Sequence, residues 1–343
     1  MWTVGRVSVL ALIVLSGVGA VASATASPSA QRPTDLRVAI TAPGPGTVLQ
    51  GQTIVTGWAV DPTSADGAGV NPRDIQLWLG APPDGYLLDY AQYGWPSREA
   101  ALAYGRASSD AGFAMVWQTC SFPAGAHELW AFASSLVRPG LTDFTRVDVT
   151  IAPCPRGTEL FRADWSVLPP LITEQSEQGP VGEAWTVRRL RPGAAGRGVE
   201  GVYADFLAEI TAQRVGPEDG YYFLDFRVLP GPGDTLTDSF YRFSVHPASG
   251  RYRLGISRPG PDPIEDLITW TPSPAIRRGT AANRLGVAAQ GNLLRLYANG
   301  EPLAEVAHED LRWGKIRFGA ATGDDPTTEV YFRDFLITTV PEP

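Results

Sequence analysis

The stretch from Asn283 to Val306 constrains the fold of this chain more than any other. Its three apolar runs are interrupted at Gln290-Gly291-Asn292 and at Asn299-Gly300. Asn-Gly between apolar runs is a strong local hairpin signal, because a type I′ turn needs two residues that tolerate positive φ. The stretch therefore predicts a three-stranded meander, and it contains no catalytic motif.

The composition extends this expectation to the whole chain. Of its 343 residues only 19% are charged, and there are 37 Gly, 30 Pro, 10 Trp, 11 Tyr and 13 Phe. Turn formers and aromatic residues in these amounts favour strands, and the length suits two all-β domains. The net charge of −8 argues against nucleic-acid binding, which needs clustered Lys and Arg, and lysine occurs only at Lys315.

Residues 1–26 have the features of a secretory signal peptide. Arg6 precedes an apolar run from Val7 to Val21, and the small residues that follow fit cleavage after Ala24 or Ala26. The run is too short and too poorly flanked for a stable membrane span, although an uncleaved N-terminal anchor is the alternative. We expect a secreted or extracytoplasmic mature chain with no membrane span.

The cysteine content agrees with export. Cys120 and Cys154 are the two cysteines of the chain, and an even count in an exported protein favours a disulfide between them. No other Cys or His lies at ligand spacing from either one, so neither a metal site nor a catalytic thiol is expected there.

Residues 33–153 contain about seven short alternating strands separated by turn residues, which predicts a β-sandwich. Asp61 lies in a loop whose Asp, Gly and Pro residues are typical of turns. Alternation also predicts a set of tryptophans in the core, because each ring buries a large area. These are Trp58, Trp78, Trp117 and Trp130.

This part of the chain resembles a bacterial Ig-like domain of secreted and cell-surface proteins. The resemblance is carried by Ala42-Pro43, Gly46, Gly51, Val55, Gly57-Trp58-Ala59-Val60-Asp61, Gly69-Val70, Ile75, Leu77, Gly112-Phe113 and Gly125-Ala126-His127-Glu128-Leu129. It implies a spacer or adhesion module without chemistry of its own. In an Ig-like order the strands that end near Cys120 and Cys154 share one pole of the sandwich, which fits the bridge.

Residues 154–157 form a short linker stiffened by Pro155, and residues 158–340 form the second domain. Its opening strand, Glu159 to Trp165, and its closing strand, Val330 to Ile337, echo each other in spacing, so we expect them to pair. About a dozen strands without helical periodicity predict a two-sheet jelly roll.

The second domain resembles the concanavalin A-like lectin/glucanase superfold, specifically its laminin-G-like and 3-keto-disaccharide-hydrolase-like members. The resemblance is carried by Asp205-Phe206, Asp225-Phe226-Arg227, Tyr241-Arg242-Phe243, Gly250-Arg251-Tyr252-Arg253-Leu254, Trp270, Asn283-Arg284-Leu285, Gly291, Leu296-Tyr297-Ala298-Asn299-Gly300, Gly314-Lys315-Ile316 and Phe332-Arg333-Asp334-Phe335. It implies a binder of carbohydrate or protein, and in some relatives a hydrolase. The complete fold prediction is an Ig-like β-sandwich followed by a concanavalin A-like jelly-roll β-sandwich.

The sequence offers little support for catalysis. Retaining glycosidases place two carboxyl groups about 5 to 5.5 Å apart. Asp205 and Glu209 would lie about 13 Å apart along a strand, which is too far. The glucanase pattern E-x-D-x-x-E, nucleophile elbows and zinc motifs are absent from the sequence.

A binding face follows from strand alternation in the second domain. Four strands of this domain have apolar side chains at alternate positions, namely Phe206, Ala208 and Ile210; Tyr222, Leu224 and Phe226; Tyr241 and Phe243; and Tyr252 and Leu254. If these side chains point to the core, a polar set shares the opposite face beside Trp270. That set is Asp205, Glu209, Asp225, Arg227, Arg242 and Arg253. It could bind a sugar, or it could be a solvated surface with weak ion pairs.

Asp164 and Asp334, near the paired terminal strands, raise the alternative of a structural calcium ion; no other cofactor is expected. The sequence predicts a secreted, non-catalytic binding or adhesion protein of the bacterial cell surface that recognises carbohydrate or another envelope component. A glycoside-processing enzyme and a structural envelope protein without a small ligand are the alternatives.

Overall fold

The computed structural model describes residues 35–65, 67–215, 220–230, 238–260, 264–322 and 328–341. The predicted signal peptide, residues 1–26, lies outside this part of the chain. Among the described residues, no helix has the length and apolar character needed to span a bilayer.

The first half is a sandwich of two sheets, of four and five strands. The sheet orders are β1-β3-β7-β6 and β2-β9-β8-β4-β5, and apolar residues of both sheets meet in one core. The strands are β1 (Arg37–Ala42), β2 (Thr47–Leu49), β3 (Gln52–Val60), β4 (Gln76–Leu79), β5 (Tyr86–Tyr90), β6 (Gln92–Trp95), β7 (Gly112–Gln118), β8 (Gly125–Ser134) and β9 (Thr142–Ile151). The predicted sandwich is confirmed, and its Ig-like character stays a prediction.

A short helix, α1 (Arg98–Tyr104), was not predicted. Ser97 caps it by accepting a hydrogen bond from the Ala100 backbone N–H at 3.2 Å. The half-buried Trp58 packs against the small apolar cluster beneath α1 and donates its indole N–H to Glu99.

The core prediction for the four tryptophans is partly wrong. Trp117 lies in the core as predicted. Trp78 and Trp130 pair with each other across β4 and β8, but their strand neighbours Leu77 and Leu129 face the core. Because side chains alternate along a strand, both indoles lie on the outer face of the five-stranded sheet.

Asp61 organises the loop that follows β3. It is fully buried, and it accepts hydrogen bonds from Thr63, from the Ser135 hydroxyl and from Arg138, whose Nε and Nη2 lie 2.9 and 2.8 Å away. Burial alone would raise the pKa of the Asp61 carboxyl, but these donors together hold it well below its usual range. Asp61 is therefore a structural turn residue.

The second half is also built from two sheets. One has nine strands in the order β11-β12-β13-β24-β15-β20-β21-β22 with β10 added on β24, and the other has six in the order β14-β23-β16-β17-β18-β19. The strands are β10 (Glu159–Arg162), β11 (Leu171–Ile172), β12 (Ser176–Val181), β13 (Ala184–Arg189), β14 (Gly193–Gly198), β15 (Phe206–Val215), β16 (Tyr221–Leu229), β17 (Ser239–His246), β18 (Arg251–Ser257), β19 (Glu265–Pro272), β20 (Asn283–Gln290), β21 (Leu293–Ala298), β22 (Glu301–Ala307), β23 (Lys315–Thr322) and β24 (Glu329–Thr338). The predicted all-β jelly-roll architecture is confirmed.

The meander from Asn283 forms as predicted. Strands β20, β21 and β22 pair in sequence, and Asn299 and Gly300 both have positive φ, 55° and 87°. The Asn299 side chain accepts from the Arg284 N–H and donates to the Ala275 carbonyl, so this turn is also fixed to the loop before β20. The predicted pairing of the first and last strands is confirmed in β10 and β24.

Alternation places the core of the second half correctly. Residues from both sheets meet between them, and every side chain predicted to face inward is buried there. They are Phe206, Ala208, Ile210, Tyr222, Leu224, Phe226, Tyr241, Phe243, Tyr252 and Leu254.

The predicted disulfide between Cys120 and Cys154 is confirmed, with Cα atoms 5.5 Å apart. Cys120 also packs against the core of the second half. The bridge therefore fixes the end of β9 next to the point where the two sandwiches meet.

The two sandwiches contact each other through side chains. The Trp313 indole N–H donates to the Leu87 carbonyl at 3.1 Å, and its ring packs edge-on against Tyr86 at 5.0 Å. The Asp205 backbone N–H donates to the Ser121 carbonyl at 2.8 Å. Val202 and Ala204 complete the core of the first sandwich, so part of the second half is buried in the first.

Candidate functional sites

The outer face of the six-stranded sheet carries the centre of the predicted polar face. Asp225 on β16 lies in register with Arg242 on β17 and Arg317 on β23. Their neighbours Leu224, Tyr241 and Phe318 face the core. We refer to Asp225, Arg242, Arg317, Asp238, Phe223 and Phe240 as the outer-face cluster.

Asp225 is the centre of this cluster. Arg242 donates to both of its carboxylate oxygens, at 2.6 and 2.9 Å, and Arg317 donates to one of them at 2.8 Å. Arg317 also donates to Asp238 at 3.1 Å. Two guanidinium groups and two carboxylates neutralise one another, and Asp225 is fully buried.

Aromatic rings cover these charges. The Arg242 guanidinium lies 3.8 Å from the Phe223 ring centroid and 4.9 Å from that of Phe240. Burial alone would lower the pKa of Arg242, but the charge of Asp225 raises it above the usual value, so the guanidinium stays protonated. The charged groups of the cluster pair with one another, as in a structural ion-pair network.

A second group of side chains lies beside the cluster. Trp270, on the edge strand β19, packs against the rings of Tyr221 and His246 at 5.7 and 6.0 Å, and Arg253 lies 5.3 Å from its centroid. Arg253 forms a 3.5 Å ion pair with Asp266. All five side chains keep some exposure. We name this group the Trp270 rim.

The rim borders a polar atom without a partner. Ser244 lies in register with Arg253, and its buried hydroxyl has no hydrogen-bond partner among the described residues. The rim thus combines an indole with a guanidinium, a carboxylate and unused hydrogen-bonding capacity.

Arg227 does not lie on the predicted face. Its φ is 51°, and the pairing of β16 with β23 shifts between Asp225 and Val228. This bulge breaks the alternation, so the Arg227 side chain is buried and donates to the carbonyls of Ala204 and Leu311 at 2.9 and 2.8 Å. No local residue pattern marks the bulge.

Asp205 and Glu209 are also separated from the predicted face, because β15 belongs to the nine-stranded sheet. Asp205 precedes β15, accepts from the Gly291 N–H at 2.9 Å and lies 3.8 Å from Arg227. Burial raises the pKa of Asp205, and these two partners oppose the shift. Glu209 pairs with Arg284 at 2.7 Å on the outer side of its own sheet.

The two aspartates considered for calcium lie in or next to the terminal strands β10 and β24. Asp164 caps the turn Trp165–Val167 by accepting from the Ser166 N–H and hydroxyl. Asp334 is an exposed residue of β24 with φ 54°. No group of three or more acidic, His or Cys side chains suited to a metal occurs in the described ranges. The calcium alternative stays untested.

Sequence reasoning missed a cavity of about 690 Å³ where the two sandwiches meet. Strands β3, β5, β6 and β7 form one side, and residues 198–202 with Lys315 form the other. We call it the junction groove. Two of its aromatic side chains, Tyr90 and Trp95, come from the segment Tyr90-Ala91-Gln92-Tyr93-Gly94-Trp95, whose density of aromatic residues was the one available sequence signal, and Trp117 of β7 is the third.

Apolar side chains are unusually exposed in the groove. Trp95 is 51% exposed, Tyr90 43%, Ile54 59% and Val116 56%. A Lys315–Asp89 ion pair of 2.8 Å joins its two sides. Exposed apolar side chains gathered at one cavity mark a binding surface more often than a free surface.

The groove also contains polar atoms without partners. The Trp117 indole N–H and the Gln118 side-chain carbonyl are buried and make no hydrogen bond within the described residues. Buried polar groups are nearly always paired, so an unpaired donor and acceptor at one cavity indicate a ligand or ordered water.

No family model and no curated protein sequence matches the chain. Among solved structures it is similar to the carbohydrate binding module CBM66 from Bacillus subtilis, with 17% identity, 50% of this chain and 91% of that chain covered, and a TM-score of 0.32. A protein of unknown function with a galectin-like fold from Bacillus subtilis gives 14% identity, coverage of 55% and 99%, and a TM-score of 0.39. The laminarinase catalytic domain from Thermotoga maritima has 9% identity, with 48% of this chain and 80% of that chain covered and a TM-score of 0.34. At these values the similarities decide nothing about the ligand or activity of this chain.

Proposed function

We propose that this chain is an exported, non-catalytic carbohydrate-binding protein and that the Trp270 rim binds the sugar. The observation that carries the proposal is the partly exposed Trp270 indole, with Arg253 and Asp266 beside it. An indole face stacks on the apolar face of a pyranose ring, while charged neighbours bond to its hydroxyl groups. The Ig-like and concanavalin A-like resemblances agree with such a role.

Export is supported by the Cys120–Cys154 bridge, since disulfides persist in oxidising compartments. A non-catalytic role is supported by the Arg partners of Asp205 and Glu209, which occupy both carboxylates. In this proposal the first sandwich acts as a spacer that presents the second at the cell surface.

The test is affinity electrophoresis of the mature chain through gels that contain soluble polysaccharides. We expect retardation by at least one polysaccharide, and a loss of affinity of about tenfold, or about 1.4 kcal/mol, in Trp270→Ala. Arg253→Ala should weaken binding several-fold. Its matched control is Arg295→Ala, which removes a somewhat more exposed Arg–carboxylate ion pair, with Glu305, on the other sheet.

Two outcomes contradict the proposal. One is full retention of binding in both rim variants, and the other is the absence of binding to every polysaccharide of the panel. Shortening of the polysaccharide during incubation would instead support the glycoside-processing alternative.

A further inference from the structure

We propose that the junction groove is a second binding site, for an extended segment of an uncharged polysaccharide, and that both sandwiches contribute to it. The choice of ligand class rests on the proposed function. The site itself rests on the groove's own geometry, and it lies outside the face that the sequence suggested.

The size and position of the groove fit such a ligand. Its volume of about 690 Å³ lies within the range of small-molecule sites. Strands β5 and β6, which border it, are edge strands of their sheets, so no further strand closes that side among the described residues. A chain ligand can therefore enter and leave the groove.

The aromatic side chains supply the stacking surfaces. Trp95 and Tyr90 are about half exposed although both line a cavity. In a protein surface a Trp side chain is usually more buried, and here its exposure costs free energy that a bound pyranose ring would recover.

The unpartnered polar atoms favour a ligand that both donates and accepts. Trp117 offers a donor and Gln118 an acceptor, and each is buried without a partner in the described part of the chain. Sugar hydroxyl groups do both. A buried polar atom without a hydrogen-bond partner destabilises the fold. A sugar hydroxyl that forms this hydrogen bond would remove that cost, which favours binding.

The charges of the groove disfavour acidic ligands. Lys315 is paired with Asp89, and Glu200 is the other charged residue that lines the groove in the described part of the chain. An acidic polysaccharide would meet Glu200 and no unpaired cation. The groove therefore favours a neutral chain over a uronate or a sulfated one.

The experiment is isothermal titration of the full mature chain with neutral glucan, mannan and xylan oligosaccharides. We expect Trp95→Ala to weaken binding at the groove at least tenfold, while Trp95→Phe keeps most of the affinity. Gln92→Ala removes an exposed amide side chain that also lines the groove, so it should weaken binding several-fold. Leu102→Ala is the matched control, because Leu102 is an exposed apolar residue of α1 outside the groove. Thermal unfolding of each variant verifies that it is folded.

The outcomes separate this proposal from the proposed function. If Trp270→Ala loses affinity and Trp95→Ala does not, the groove proposal is overturned and the rim stands. The reverse result supports the groove and removes the rim. Binding of none of these oligosaccharides, or binding of an extended peptide library in their place, overturns the groove proposal.

Discussion

The outer-face cluster and the junction groove both combine aromatic rings with polar side chains, but they differ in how far those polar side chains are already hydrogen-bonded. In the cluster, Asp225 accepts three hydrogen bonds from two arginines that are themselves covered by phenylalanine rings. In the groove, the Trp117 indole N–H and the Gln118 side-chain carbonyl have no hydrogen-bond partner among the residues that the structure describes. A set of charged residues on one sheet face therefore indicates a ligand site only where its hydrogen-bonding capacity is unused.

The largest expected effect tests the claim that the outer-face cluster is structural. Asp225→Asn removes one charge and leaves Arg242 and Arg317 facing each other in a buried site, so we expect the free energy of unfolding to fall by about 3 to 5 kcal/mol. Urea denaturation measures it. Glu209→Gln, in an exposed pair with Arg284, should change it by less than about 1 kcal/mol.

Equal effects of these two substitutions would contradict the comparison. If Asp225→Asn also left stability unchanged, the outer face would be open to a ligand after all.

A somewhat smaller effect is expected at Asp61, the corresponding buried carboxylate of the first sandwich. Its partner Arg138 is partly exposed, so Asp61→Asn should cost about 2 to 3 kcal/mol at pH 7. The folded state lowers the pKa of Asp61, so this stabilisation is present above the unfolded pKa, about 3.9, and is lost as pH falls below it.

Urea denaturation of the wild type and of Asp61→Asn at pH 7, 4 and 2.5 measures how this stabilisation depends on pH. The difference between wild type and Asp61→Asn should shrink with each step down. A difference that stays constant to pH 2.5 would show that the carboxylate charge contributes nothing.

The smallest effect is expected on the groove side. Lys315 and Asp89 are both partly exposed, so Lys315→Gln should lower the free energy of unfolding by less than about 1 kcal/mol. The same urea titration detects it. A loss of unfolding free energy as large as that of Asp225→Asn would mean that the Lys315–Asp89 pair is also part of a structural network.

Local sequence chemistry was sufficient for much of the fold. Asn299-Gly300 predicted its turn because few other residue pairs tolerate two positive φ angles. Alternation predicted the buried face of β15 to β18 because side chains on a strand have a period of two. The even cysteine count predicted the bridge.

Long-range pairing was the part that alternation could not supply. Alternation shows that each strand has two faces, but it does not show which sheet the strand joins. Asp205 and Glu209 were therefore grouped with a sheet that does not contain β15. The bulge at Arg227 reversed one side chain without a local signal. The junction groove needs residues far apart in sequence, such as Trp95 and Lys315, and only the folded chain brings them together.

The position of Lys315 has a chemical consequence. The chain contains a single lysine, so an amine-reactive reagent has one ε-amino group to modify, and that group lies at the wall between the two sandwiches. Acylation of the Lys315 amine prevents tryptic cleavage after this residue, and peptide mass spectrometry can measure the acylated fraction. This fraction reports how accessible the wall between the sandwiches is to the reagent, without any engineered label. A ligand that fills the space beside Lys315 would lower the acylation of this amine, which the native chain already contains.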